Sequence, residues 1–330
     1  MLTSSSAIDC EGSVIPLEPS CVIKVTFRTS PVSWELGRSW DFEQSIAEGF
    51  PFGLAFAREV LMAFVVSAAD RSPGVIAEGM RQEWVISPDR LPDGRLSVEV
   101  LYLDPETALD LGTASDELLW LEVLRGSIMA DAESTGSEII VMVAGGRGVR
   151  IQALTASELL IVRVPHAARY DDVVRGGLAG RVDWSTEPVL DSEHDARRRI
   201  YLATTELWGT EAVKGERIYY PAGAAGAPHH HEGAEHFQFV VAGSGTALLD
   251  GTPIALGTGD LLYNLENEIH AFRNDADEDF VFVEFFVPGH SRTVWVPGVE
   301  VCTWQPRETD VHGRPAARAL ERHVHGEGRV

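Results

Sequence analysis

Residues 223–274 read GAAGAPHHHEGAEHFQFVVAGSGTALLDGTPIALGTGDLLYNLENEIHAFRN, and five of the chain's eleven histidines fall within them. In an extended strand, residues two apart share a face, so His229 and His231 project together while His230 points away. His270 comes from a different strand, beyond a Gly-punctuated hairpin, and can converge on the same point. Neutral imidazole and carboxylate are good ligands for borderline divalent ions, so the cluster predicts a metal site in the mouth of a β-barrel. A triple-His run alone reads equally well as a polar loop. The spacing around it decides between the two.

Five residues separate Gly223 from His229, His231 follows, His236 comes after four more, and Gly243 after a further six. Downstream, Gly259, His270 and Asn274 form a second frame. The two frames resemble the paired motifs of the cupin superfamily. The first motif is Gly, five residues, His-x-His, three or four residues, Glu, six residues, Gly. The second is Gly, five residues, Pro-x-Gly, two residues, His, three residues, Asn. This chain departs by placing His236 at the Glu position and Leu265 and Asn267 at the Pro and Gly positions.

The resemblance implies a double-stranded β-helix barrel holding one divalent ion per chain, Fe(II) favoured, with Mn, Ni or Zn as alternatives. The family's ligands carry over to His229, His231 and His270, with His236 at the carboxylate position. Glu235 is the alternative fourth ligand, because the family also allows three intervening residues; the distance to Gly243 favours His236. With His236 inward, Gln238 shares its face and becomes a substrate-facing group. Tyr220 and Glu235 are candidate catalytic groups, and Gln238, Arg217, Tyr219 and Glu284 candidate substrate-binding ones. Each has a plainer reading: a packed phenol, a surface arginine, a solvated carboxylate.

Outside this stretch the chain is rich in short strand-like segments. Between Met80 and Val164 they are separated by turn signals such as Pro92-Asp93-Gly94 and Gly145-Gly146, the pattern of a sandwich or barrel. Leu118–Asp131 has the texture of Phe237–Asp250, with Gly126 matching Gly243. Counting back places Gly112, Ala114 and Leu119 at ligand positions, and the echo of 259–262 in 157–160 places Ala168 opposite His270. The expected fold is all-β: two double-stranded β-helix barrels in tandem, the first degenerate and without metal, preceded by a short N-terminal helical segment. The expected boundaries are an N-terminal strand and helical segment over 1–79, the degenerate barrel over 80–181, a linker over 182–198, the metal-binding barrel over 199–300 and a tail over 301–330. His323 and His325 mimic a ligand pair, but their polar, Gly- and Arg-containing surroundings read as a frayed or helical tail.

The net charge of −23 disfavours nucleic acid and anionic membrane as partners, since both demand basic surface. No apolar run approaches the roughly 20 residues that span a bilayer. Cys10, Cys21 and Cys302 form no CxxC pair, and the first residues lack a signal-peptide pattern, so a cytoplasmic protein is expected. A small-molecule substrate is the expected partner, and edge strands and an acidic surface permit a homodimer. The leading functional expectation is an Fe(II) dioxygenase or other oxygenase acting on a small organic metabolite. It rests on the His-rich site and on resemblance to gentisate-type bicupin dioxygenases. The alternatives are a non-redox lyase, isomerase or decarboxylase, and a non-catalytic metabolite-binding protein.

Overall fold

The computed structural model describes residues 63–91 and 94–326. Two barrels follow one another, each closed by a large and a small antiparallel sheet. In the first, the large sheet runs in the order Leu178–Asp183, Ile139–Ala144, Leu118–Arg125, Ser157–Val164, Ser97–Leu103, Met80–Ile86, Gly74–Ala77. Its small sheet runs Ala108–Gly112, Gly148–Ala153, Ile128–Ala130, Glu133–Thr135. The second barrel repeats this order. Leu261–Asn264, Glu235–Ala242, Phe280–Val287, Lys214–Tyr220 and Arg198–Ala203 form the middle of its large sheet. His229–Glu232, His270–Arg273, Ser244–Leu249 and Thr252–Gly257 correspond to the first barrel's small sheet.

The strand Phe280–Val287 (FVFVEFFV) shows why both sheet faces are closed. All of its residues are buried, as expected of a strand covered on two sides. Phe280 and Phe282 point into their own barrel with Tyr220, Val240 and Phe272. Val283, Phe285 and Val287 point outward, into a core shared with Val98, Leu118, Trp120 and Leu160 of the first barrel. The Trp120 and Phe285 rings meet edge to face with centroids 5.1 Å apart. Gly215 allows that approach, since a Cβ there would lie 2.5 Å from the Trp120 ring. The two large sheets are therefore packed face to face.

Glycines 126 and 243 occupy equivalent turns. Both have positive φ, and a Cβ on either would lie within 2.3 Å of a backbone oxygen. The first-motif alignment of the two barrels thus has a structural counterpart. The second-motif alignment does not: Ser157–Val164 corresponds to Phe280–Val287, not to Leu261–Asn264. Because Gly112 pairs with Gly148 as His229 pairs with His270, the position opposite His270 is Gly148 rather than Ala168. The first barrel's interior is aliphatic, with Leu119, Leu121, Ile151 and Leu159 fully enclosed.

Three expected boundaries are revised. Phe64–Val66, within the segment expected to be strand and helix over 1–79, is an edge strand on Leu261–Asn264; residues 1–62 of that segment lie outside the described residues. The 182–198 linker contains Leu190–Ser192, which hydrogen-bonds between Arg198–Ala203 and Thr303–Pro306. The C-terminal tail is part of the same sheet, through Thr303–Pro306 and His323–Val324. Its buried Trp304 and Cys302 supply the apolar reason, packing on Tyr201 and Leu190.

Candidate metal centre

Alternation along two paired strands builds the floor of the second barrel. Val240 faces Phe282, Gln238 faces Glu284 and His236 faces Phe286, so the inward column turns from apolar to polar within three steps. His229 and His231 arrive on the opposing small sheet, where His229 pairs with His270. His231, His236 and His270 are fully buried and His229 half-buried. The His231–His236 ring centroids are 4.8 Å apart, His236–His270 4.7 Å and His229–His270 4.6 Å.

The outer nitrogens of three rings are engaged by the protein. His229 Nδ1 donates to the Ala227 carbonyl at 2.8 Å and His270 Nδ1 to the Glu268 carbonyl at 2.9 Å. His231 Nδ1 shares a hydrogen bond with Thr293 Oγ1 at 3.2 Å. A carbonyl only accepts, so His229 and His270 carry their proton on Nδ1 and present an Nε2 lone pair. His231 Nε2 is buried and has no hydrogen-bond partner. His236 Nε2 lies 3.3 Å from His270 Nε2 and 3.6 Å from Glu284 Oε1. Two nitrogens each about 2.1 Å from one ion lie about 3.0 Å apart at a right angle and about 3.4 Å at the tetrahedral angle, so this pair has the spacing of two ligands. The residues present fit a divalent ion.

Burial, and then the neighbouring imidazoles, hold His229, His231 and His236 well below the ordinary histidine range; burial brings His270 down to about 4. All four are therefore neutral near pH 7, the form that binds metal. Burial first, and then the Glu216 carboxylate, push the Glu284 carboxyl up to about 7. Gln238 fixes that carboxyl, donating from Nε2 to Glu284 Oε1 at 2.6 Å while its own oxygen accepts from Asn264 Nδ2 at 2.8 Å.

The structure brings the ligand atoms of His231, His236, His270 and Glu284 within 4.8 Å of one another, with Gln238 on Glu284 and the His229 ring beside that of His270. Tyr220 is buried nearby and, with His229 and Glu284, lines a void of about 20 Å³; its phenol accepts from Arg197 Nη1 at 3.2 Å. Glu235 is not at the cluster. It sits on the opposite strand face, where Tyr263 donates to it and Arg95 Nε lies 3.2 Å away. Arg217 and Tyr219 are also directed elsewhere, because they alternate with the inward Ile218 and Tyr220. Arg217 donates from Nε to the Tyr219 phenol at 3.1 Å and from Nη1 to Glu122 of the first barrel at 3.0 Å.

A fifth imidazole arrives just past the C-terminal strand His323–Val324. His325 is buried with its ring 5.4 Å from that of His229 and 5.5 Å from that of His231, and the three could together surround an ion. Its two-residue offset from His323 was a real strand signal that the polar context masked. Arg199 anchors it by donating from Nη2 to His325 Nδ1, while Tyr201 shares a hydrogen bond with His323 Nε2 at 2.7 Å. Glu216 in turn holds Arg199 at 2.8 Å and Lys214 at 2.6 Å.

Fold and site together define a two-barrel β protein with a buried histidine centre in its second barrel. Residues 216–286 match the family model for the cupin domain. The chain is 31% identical over 71 residues to the pectin degradation protein KdgF of Dickeya dadantii, covering 22% of this chain and 64% of that protein. It thus spans just under two thirds of the curated relative's length. A structure of oxalate decarboxylase shares the fold at a TM-score of 0.56 and 16% identity, over 72% of this chain and 79% of that one. A tryptophan-to-tyrosine variant of the Bacillus subtilis enzyme gives the same TM-score of 0.56 and coverage of 72% and 79%, at 15% identity. Over residues 216–286 the second barrel is thus similar to the cupin domain, and the chain as a whole shares the fold of these structures.

Proposed function

We propose that the second barrel is a metal-dependent active site in which His229, His231, His236 and His270 hold one divalent ion and a small organic anion is the substrate. The observation that carries this reading is the commitment of the His229, His231 and His270 outer nitrogens to protein oxygens, with the inner nitrogen of His231 left unpartnered. Four imidazole nitrogens suit Fe(II), Ni(II) or Zn(II) better than Mn(II), which prefers oxygen donors. Neutral ligands leave the ion its full double charge, which favours an anion despite the acidic chain. Arg197 and Arg199 line the adjoining void, each paired with a carboxylate, Asp195 and Glu216.

The reaction class favoured is non-redox: lyase, isomerase or decarboxylase. Bound, the ion would polarise a carbonyl or carboxylate of the substrate. Glu284, oriented by Gln238, is the carboxyl placed to hold or move a proton beside it. The likeness to KdgF puts acidic sugars derived from pectin first in a substrate screen. Fe(II)-dependent oxygenation is the second reading, and the all-imidazole donor set favours it. Turnover assayed with and without oxygen on protein of measured metal content separates them. Undiminished anaerobic turnover supports the first, and strict oxygen consumption with bound iron supports the second. Absence of any metal from protein reconstituted with Fe(II), Ni(II) or Zn(II) would sink both.

A further inference from the structure

Metal coordination by His325 conflicts with its anchor. A neutral imidazole has one lone-pair nitrogen. The Arg199 guanidinium can only donate, so it claims that lone pair at His325 Nδ1. The proton then sits on Nε2, which makes no hydrogen bond among the described residues. The anchor is itself braced: Arg199 Nε is 2.8 Å from Glu216, both side chains are almost wholly enclosed, and the Arg199 guanidinium stacks 4.2 Å over the Trp304 ring. His325 also lines the same small void as His229 and Glu284.

We infer that His325 is a hydrogen-bond donor to the substrate anion at the histidine centre, its tautomer set by Arg199. The inference rests on the proposed metal site and deepens it, by assigning the group that meets an oxyanion beside the ion. Glu216, Arg199 and His325 form a line in which each fixes the next: carboxylate to guanidinium, guanidinium to Nδ1, and Nε2–H toward the anion. The chain thereby uses a segment outside the cupin motifs to complete its site. Anion binding should accordingly tie down the C-terminal strand.

The test uses Co(II)-loaded full-length protein with acetate as the probe anion, its affinity read from the Co(II) absorption spectrum. His325→Asn keeps an acceptor for Arg199 where Nδ1 stood but removes the Nε2 donor. His325→Gln places an amide donor near the Nε2 position. The expected result is about tenfold weaker acetate binding in His325→Asn, the loss of a hydrogen bond to a charged group. His325→Gln should recover most of it, and both variants should bind Co(II) within about twofold of the unmodified protein. Unchanged acetate affinity in His325→Asn overturns the donor role. Tenfold weaker Co(II) binding in that variant also overturns it, showing a ligand instead. Unmodified protein that binds no Co(II) rejects the metal site itself, a separate failure. Should the variants not fold, ¹⁵N resonances of the histidines in the unmodified Zn(II)-loaded protein decide the matter: a proton on His325 Nε2 supports the assignment and one on Nδ1 overturns it.

Discussion

Glu235 and His236 are adjacent in sequence and serve opposite faces of one strand. His236 is enclosed against His270 and Phe286, whereas Glu235 takes a hydrogen bond from Tyr263 and an ion pair with Arg95. His236→Ala is therefore expected to weaken divalent-ion binding by tenfold or more, as loss of a metal-centre group does. Glu235→Ala should leave metal stoichiometry unchanged and cost about 1–2 kcal/mol of stability, because a partly exposed ion pair and one phenol partner are lost. Metal analysis of the two variants side by side checks this; equal occupancy in both would place the ion elsewhere.

Trp120 reaches from the first barrel onto Phe285 of the second and approaches Gly215. Trp120→Ala removes a fully buried indole from the shared core and should cost about 3–5 kcal/mol, a large part of an ordinary folding free energy. Since the ring belongs to both barrels' packing, both should lose stability together in one transition. Chemical denaturation followed by far-UV circular dichroism and by near-UV signals tests it. Separate transitions, with the second barrel's unmoved, would show that the barrels fold independently.

The period-two reading of His229 and His231 was legible because strand alternation is local, and Leu119 could be matched to His236 because both lie a fixed distance before an obligatory glycine turn. Other features depend on packing that spacing does not carry. Ser157–Val164 and Leu261–Asn264 share an aliphatic texture, so the echo between them misaligned Ala168; only strand order identifies Gly148. Tyr219 and Tyr220 are equivalent by alternation until a neighbour is known, and the first barrel's Glu122 is what draws Arg217 and Tyr219 outward. His325 lies far along the chain from the motifs. Its place follows from buried Trp304 and Cys302 fastening the C-terminal strands to the sheet.

Glu122 yields a pH prediction. It is buried between the barrels, and burial, only partly offset by Arg217, pushes its carboxyl from the usual 4.5 up to about 7. Between those values the folded protein retains a proton that the unfolded chain has shed, so this group makes stability fall as pH rises from 4.5 to 7. The cost is absent below that window and reaches about 3 kcal/mol above it. Glu122→Gln should flatten the decline. The difference in denaturation free energy between variant and parent should move in the variant's favour as pH rises from 5 to 8. A constant difference over that range would mean that Glu122 is ionised throughout.

Removing the metal should expose the strain of packing histidines without a common partner. Five imidazole rings occupy the second barrel's core, and His231 Nε2 and His236 Nδ1 are buried without hydrogen bonds, each a desolvation cost. An ion that binds only the folded chain adds stability of about 2.7 kcal/mol when supplied at a hundred times its dissociation constant. Chelation followed by dialysis should thus lower the melting temperature by several degrees, and restoring Zn(II) should recover it. His231→Ala provides the internal control. It deletes one unpartnered nitrogen and a ligand at once, so its melting temperature should not respond to chelator or to added Zn(II). If chelator instead shifts that variant as much as the parent, the stabilising ion does not sit among these histidines.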